Sequence, residues 1–202
     1  MNINVHKTKK ATSQKAAEKA ISILNKVIAE KGSATFVMAT GNSQLDFIEA
    51  LVEDDTVDWS KTRMFHLDEY IGIPDTHKAS FRKYLKERFI SKVDLGEVNL
   101  IDGNTDDPKA ECERLNQILE EEEIDIGFVG IGENGHLAFN DPPADFETEK
   151  PYIIVDLDEK CRKQQVGEGW FESIETVPEQ AISMSIKQIM KCNHIICTVP
   201  GE

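Results

Sequence analysis

One stretch constrains the fold of this chain more than any other. An apolar run over residues 124–129 stops at Gly130, and further glycines stand at 132 and 135. A buried strand that breaks into glycines brings bare backbone up to a ligand at the carboxyl edge of an α/β sheet. The surrounding pattern agrees. Residues 13–31 carry apolar side chains at Ala17, Ile21, Leu24 and Ile28, the face of one helix, which Gly32 ends. Residues 34–39 then read as a short buried strand. Residues 43–52 read as a helix with Ser43 at its N-cap and Asp46 completing a variant capping box. Strand-like runs follow at 62–67, 98–101, 152–155, 181–185 and 194–199, with helices at 80–89 and 108–122. Repeats, low-complexity tracts and linkers are absent from the sequence. The alternation predicts an α/β fold, a mostly parallel sheet with helices on both faces, in one domain over residues 1–202. The last strand runs into Pro200-Gly201-Glu202 with no covering helix behind it, so this domain is expected to lack its C-terminal helix.

Charge and cysteine usage narrow the partners. A formal net charge of -14 argues against nucleic acid or an anionic membrane surface, both of which call for basic patches. An acidic chain that takes an anionic substrate must hold it with local backbone amides and a few placed cations. No apolar run approaches the ~20 residues of a membrane span, and residues 1–10 are too polar for the core of a signal peptide. Cys112, Cys161, Cys192 and Cys197 form no CxxC pair and no metal-ligand spacing. The expectation is a reduced, cytoplasmic protein.

Three motifs could carry chemistry. Thr40, Gly41, Asn42 and Ser43 lie between a buried strand and a helix start, where free amides, hydroxyls and the helix dipole suit a phosphate. The lysine of a Walker A loop is missing, and the same residues would serve as plain turn and cap. Phe65-His66-Leu67-Asp68-Glu69-Tyr70 ends another strand in two carboxylates. One of them, desolvated in a cleft, can act as a general base, and side-chain alternation allows at most one to face it. Solvated caps are the plainer alternative for this pair, and an ordinary strand histidine for His66. The third motif is Gly130-Ile131-Gly132-Glu133-Asn134-Gly135-His136, continued by Leu137-Ala138-Phe139-Asn140-Asp141. Its histidine can move protons near neutral pH, with Asn134, Asn140 and Asp141 at hand to orient it. No second histidine or cysteine stands at metal-ligand spacing from it.

In this order and spacing, the motifs resemble the glucosamine-6-phosphate deaminase (isomerase) family and, more distantly, 6-phosphogluconolactonase. Leu67-Asp68-Glu69-Tyr70-Ile71-Gly72 and Gly132-Glu133-Asn134-Gly135-His136-Leu137-Ala138-Phe139-Asn140 carry most of the likeness, which runs from about Phe36 to the C-terminus. The resemblance implies a Rossmann-like sheet and conversion of glucosamine 6-phosphate, or a related amino-sugar phosphate, to fructose 6-phosphate and ammonia without metal or organic cofactor. It implies Asp68 as the carboxylate that moves a proton between C2 and C1, and His136 as the group that assists ring opening. It also implies Thr40, Gly41, Asn42 and Ser43 as the phosphate loop, and Gly132 and Gly135 are expected beside them among the substrate-binding residues. Single subunits and homo-oligomeric rings both occur in the family.

Two departures from the family pattern stand out. The family's commoner Asp and Glu around this histidine are here Asn134 and Asp141, so Asp141 is the one acidic partner expected. The family's phosphate-binding lysine has no counterpart within residues 1–202, and Arg162 is the candidate cation from the 158–165 region, with a solvated helix charge as its alternative role. These departures motivate a second reading as a non-catalytic sugar-phosphate sensor. A 6-phosphogluconolactonase-like hydrolase is a third, which Asn134 counts against, since that family too has Asp-Gly-His, and Ala138-Phe139-Asn140 favours the deaminase side.

Overall fold

The computed structural model describes residues 1–132 and 134–199. Residues 200–202, on which the expectation about the C-terminus falls, lie outside the described residues, as does Glu133. Five parallel strands form the main sheet: β1 (Ala34–Met38), β2 (Thr62–His66), β4 (Glu97–Asn99), β5 (Ile126–Val129) and β8 (His194–Cys197), in the order β4-β2-β1-β5-β8. All residues of β1 and β5 are buried, as expected for central strands covered on both faces. The strand order reverses direction between β1 and β5. Such a switch point opens a crevice at the carboxyl ends of the strands.

Helix α1 (Lys9–Lys31) buries Ala17, Ala20, Leu24 and Val27. Ile21 and Ile28, expected on the inner face, pack at its margin. The helix starts earlier than its apolar pattern indicates because Thr8 caps it, accepting a hydrogen bond from the Ala11 amide at 3.1 Å. Helix α2 spans Leu45–Glu53. Ser43 is not its N-cap: residues 42–44 form a turn closed by the Gln44 amide on the Gly41 carbonyl at 3.1 Å, and Gln44 takes the cap position without a side-chain cap bond. That turn leaves the Ser43 hydroxyl free of the helix. The aromatic core between sheet and helices centres on Phe36, which contacts Trp59, Phe89 and Phe128 at ring separations of 6.0, 6.1 and 5.6 Å.

The strand read over residues 62–67 divides. Leu67 donates to Met38 in the parallel sheet and accepts from Met184 in a second one. From there β3 (Asp68–Tyr70) pairs antiparallel with β7 (Gln180–Met184), which pairs antiparallel with β6 (Tyr152–Asp156). This small sheet caps one side of the carboxyl edge. Helix α3 (Phe81–Arg88) and helix α4 (Pro108–Glu120) follow β3 and β4, and α5 (Glu159–Gly167) and α6 (Ile186–Met190) flank β7.

Candidate active site

At the carboxyl edge a cleft of about 500 Å³ gathers the loop after β1, the start of β3 and the glycine loop after β5. Thr40, Gly41, Asn42, Ser43, Asp68, Gly132 and His136 all line it. The loop after β1 turns through Gly41, whose φ of 97° favours glycine. Tyr84 of α3 donates to the Gly41 carbonyl at 3.0 Å. Gln44, fully buried, ties the loop to the ends of β5 and β8: its amide donates to the Val129 carbonyl at 3.2 Å and to Thr198 Oγ1, just past β8, at 2.7 Å.

Asp68 and Glu69 take opposite sides of β3. Glu69 has no exposed surface and accepts four hydrogen bonds, from the Tyr70 amide (2.9 Å), the Ser80 hydroxyl (2.9 Å), the Phe81 amide (3.1 Å) and the Arg82 amide (2.8 Å). It thereby anchors the first turn of α3. Asp68 faces the cleft, is 6% exposed, and receives no hydrogen bond from the described residues. Burial without donors, reinforced by the charge of Glu69, pushes its carboxyl from an ordinary 3.8 up to about 7; the neighbouring His136 acts in the opposite direction. His66, on β2, is fully buried with neither ring nitrogen hydrogen-bonded among the described residues. Burial, and then the charge of Arg82, lowers its pKa to about 3, so it stays neutral and serves as core.

His136 is half-buried on the glycine loop. Its Nδ1 lies 3.1 Å from Asp141 Oδ1, an ion-pair distance without hydrogen-bond alignment. Asp141 raises the imidazole pKa, against the lowering effect of burial. Asn134 braces the pair from behind: its side chain donates to Asp141 Oδ1 at 3.0 Å and accepts from the His136 amide at 3.2 Å. Neither Asn134 nor Asp141 lines the cleft; both contact His136 from outside it. Gly132 is needed for space, since a Cβ there would come within 2.2 Å of the imidazole ring. Gly135 turns the loop at φ 85° and stands back from the cleft. The loop is closed by Asn140, which is 5% exposed and donates to the carbonyls of Leu137 (2.8 Å) and Met184 (2.9 Å).

Arg162 is placed differently from the sequence expectation. Its guanidinium donates to the carbonyls of Ile174 (2.8 Å) and Val177 (3.1 Å), and it does not line the cleft. The cations that do are Lys9 and Lys78, neither singled out by motif. Lys9 reaches the edge because α1, with 23 residues, is ~34 Å long, twice the ~17 Å of five-residue β1. The helix ends near the base of the sheet, where Lys31 meets Asp125 at 2.7 Å, so its start stands above the cleft rim. Length of helix against length of strand was the available signal. Among the described residues, no group of three or more His, Cys, Asp and Glu is arranged to hold a metal ion.

A Rossmann-like sheet with a desolvated carboxylate and a carboxylate-braced histidine in its switch-point crevice defines an α/β protein with two proton-transfer groups facing one cleft. The chain belongs to the family of glucosamine-6-phosphate isomerases and 6-phosphogluconolactonases, whose model it matches over residues 7–202. It is 37% identical over 183 residues to a glucosamine-6-phosphate deaminase of Streptococcus pneumoniae serotype 4, covering 91% of this chain and 76% of that protein. A glucosamine-6-phosphate deaminase of Oenococcus oeni is 34% identical over 187 residues, covering 93% and 77%. Among solved structures, a monomeric glucosamine-6-phosphate deaminase, described as a missing link of the NagB superfamily, superposes with a TM-score of 0.86 at 29% identity, covering 98% of this chain and 81% of that one. A 6-phosphogluconolactonase of Shewanella baltica superposes with a TM-score of 0.76 at 18% identity, covering 94% and 77%. The second likeness is one of fold.

Proposed function

We propose that this chain is an amino-sugar-phosphate isomerase that deaminates its substrate, converting glucosamine 6-phosphate to fructose 6-phosphate and ammonia. The observation that carries the reading is Asp68: a carboxylate pushed to about 7 by burial, facing the same cleft as His136. A base with a pKa near the working pH is the group such a proton shift needs. The curated relatives that bear the deaminase name support the same activity.

The steps follow from the layout. The turn at residues 40–43 holds the phosphate with backbone amides and the Ser43 hydroxyl. Lys9 and Lys78 supply the local positive charge that the acidic chain otherwise lacks. With its Nδ1 facing Asp141, protonated His136 gives its Nε2 proton to the ring oxygen as the C1–O5 bond breaks and takes up the C1 hydroxyl proton, leaving the C1 aldehyde. Asp68 then removes the proton on C2, and the electron pair forms the C1–C2 double bond while the C1=O pair moves to O1 and takes the His136 proton. The same carboxyl returns its proton to C1 as the nitrogen lone pair forms the C2=N bond and the nitrogen gives a proton back to His136. The nitrogen at C2 is left as an imine; water adds to C2 and ammonia leaves, so the net reaction is both isomerisation and hydrolysis. The four cysteines are unpaired and no described helix is long and apolar enough to cross a membrane, which supports a cytoplasmic setting.

The test is incubation with glucosamine 6-phosphate while fructose 6-phosphate and ammonia are followed together. Equal yields of both are expected. Tight binding without either product would replace this reading with the sensor, and hydrolysis of 6-phosphogluconolactone alone would replace it with the lactonase.

A further inference from the structure

Tyr70 and Gln165 make a contact that the proposed reaction does not use. Tyr70 is fully buried, two residues beyond Asp68 on β3. Its ring is wedged among Phe81, Phe139 and Phe171 at centroid separations of 5.1, 4.9 and 5.4 Å, so its hydroxyl cannot swing away. That hydroxyl donates to Gln165 Oε1 on α5 at 2.8 Å. Burial holds the phenol protonated, which keeps it a donor. An amide whose oxygen is claimed in this way must turn its NH2 to the other side. Gln165 lines the cleft, and its NH2 has no acceptor among the described residues.

We infer that Gln165 is a substrate-orienting residue: Tyr70 fixes its amide so that the NH2 donates to a hydroxyl of the sugar, between the phosphate and the reacting carbons. The inference rests on the sugar-phosphate reading above and deepens it. An open-chain sugar phosphate presents a row of hydroxyl oxygens along that path, and C2 must lie over Asp68 for proton transfer. A rigid donor at one point of the row sets the register of the chain. If Gln165 only latched α5 to β3, an acceptor would suffice there. A glutamine supplies an acceptor for Tyr70 and a donor for the ligand at once.

The experiment compares kcat/KM for glucosamine 6-phosphate and for its 3-deoxy and 4-deoxy analogues in the wild type, Gln165→Leu, Gln165→Glu and Tyr70→Phe. With the full substrate, Gln165→Leu is expected to lose about threefold to tenfold, the worth of one neutral hydrogen bond. Gln165→Glu keeps an acceptor for Tyr70 but loses the donor, and should lose at least as much. On the analogue lacking the recognised hydroxyl, the Gln165→Leu penalty should disappear. Tyr70→Phe should cost less than Gln165→Leu, and nothing further when the two are combined. Circular dichroism and melting temperature verify that each variant is folded. An equal loss on every substrate, or full activity of Gln165→Glu, overturns the assignment. A wild type inert on glucosamine 6-phosphate would remove the sugar-phosphate reading and this inference together. An active wild type with a silent Gln165→Leu removes this inference alone.

Discussion

Neighbouring carboxylates can be driven to different tasks by surroundings alone, and Asp68 and Glu69 are such a pair. Side-chain alternation on a strand made it legible in the sequence that only one faces the cleft. The sequence did not reveal how strongly Asp68 is desolvated, because the β6–β7 sheet that buries it comes from residues more than eighty positions away. Its folded-state pKa of about 7 lies above the ordinary 3.8, so folding favours the protonated form, and stability is lost as pH rises from about 4 to about 7 and stays lowered above that. Asp68→Asn should therefore abolish general-base catalysis, lowering kcat by about 10²–10⁴, while raising stability at pH 8 by at most roughly 4 kcal/mol at ~1.4 kcal/mol per unit. That gain should vanish as pH falls towards 4. Denaturant melts at the two pH values, beside steady-state assays, check both halves; unchanged turnover would remove Asp68 as the base. The proposed mechanism needs Asp68 ionised and His136 protonated, so kcat/KM should rise through about pH 7 and fall again at higher pH. Asp141 is the largest cause of the raised imidazole pKa. Asp141→Asn should move the alkaline limb to lower pH, and a full pH profile of that variant decides the matter.

At the scale of elements, the strands of the parallel sheet and their helices were readable because each has a clear apolar run and a local start or stop. Asp107 before Pro108, and Ser80 before Phe81, are such signals: both cap their helices through side-chain oxygens. The antiparallel sheet was not readable. β3 is three residues long, and its register, Asp68 opposite Ser183, is set by distant chain rather than by local pattern. Nor does local sequence show that Glu69 is the anchor of α3, which carries Phe81 and Tyr84 into the cleft wall. Its weight can be measured. Ser80→Ala removes one capping hydroxyl and should cost about 1 kcal/mol. Glu69→Ala leaves four donors without their acceptor, three of them at the start of α3, and should cost about 3 kcal/mol or more. In thermal melts those losses correspond to about 2–4 °C and roughly 6–12 °C for a domain of this size. Equal shifts for the two variants would show that α3 is held by its packing instead.

For the molecule as a whole, the net charge of -14 and the anionic substrate set up an opposition that sequence alone leaves open. The charge is legible from composition. The placement of compensating cations is not, since Lys9 reaches the cleft through the overshoot of a long helix while Arg162 is engaged with two carbonyls. Within the cleft Lys9, Lys78 and protonated His136 are set against Asp68 and Glu168, a surplus of one positive charge that is small beside the -14 of the chain, so the lining supplies little net attraction at a distance. Long-range repulsion from the rest of the surface should then govern the approach of the substrate. The screening length shortens from about 30 Å at 0.01 M salt to about 10 Å at 0.1 M. Contacts inside the cleft, a few ångströms long, are screened much less. Added KCl should therefore raise kcat/KM for glucosamine 6-phosphate, by roughly twofold to fivefold over that range, with little change in kcat. Exposed Glu113 and Glu120 on α4 do not line the cleft, and replacing both with glutamine should flatten the salt dependence without altering kcat. A kcat/KM that falls with salt would mean that Lys9 and Lys78 dominate the approach, and that the acidic surface is electrically remote from the site.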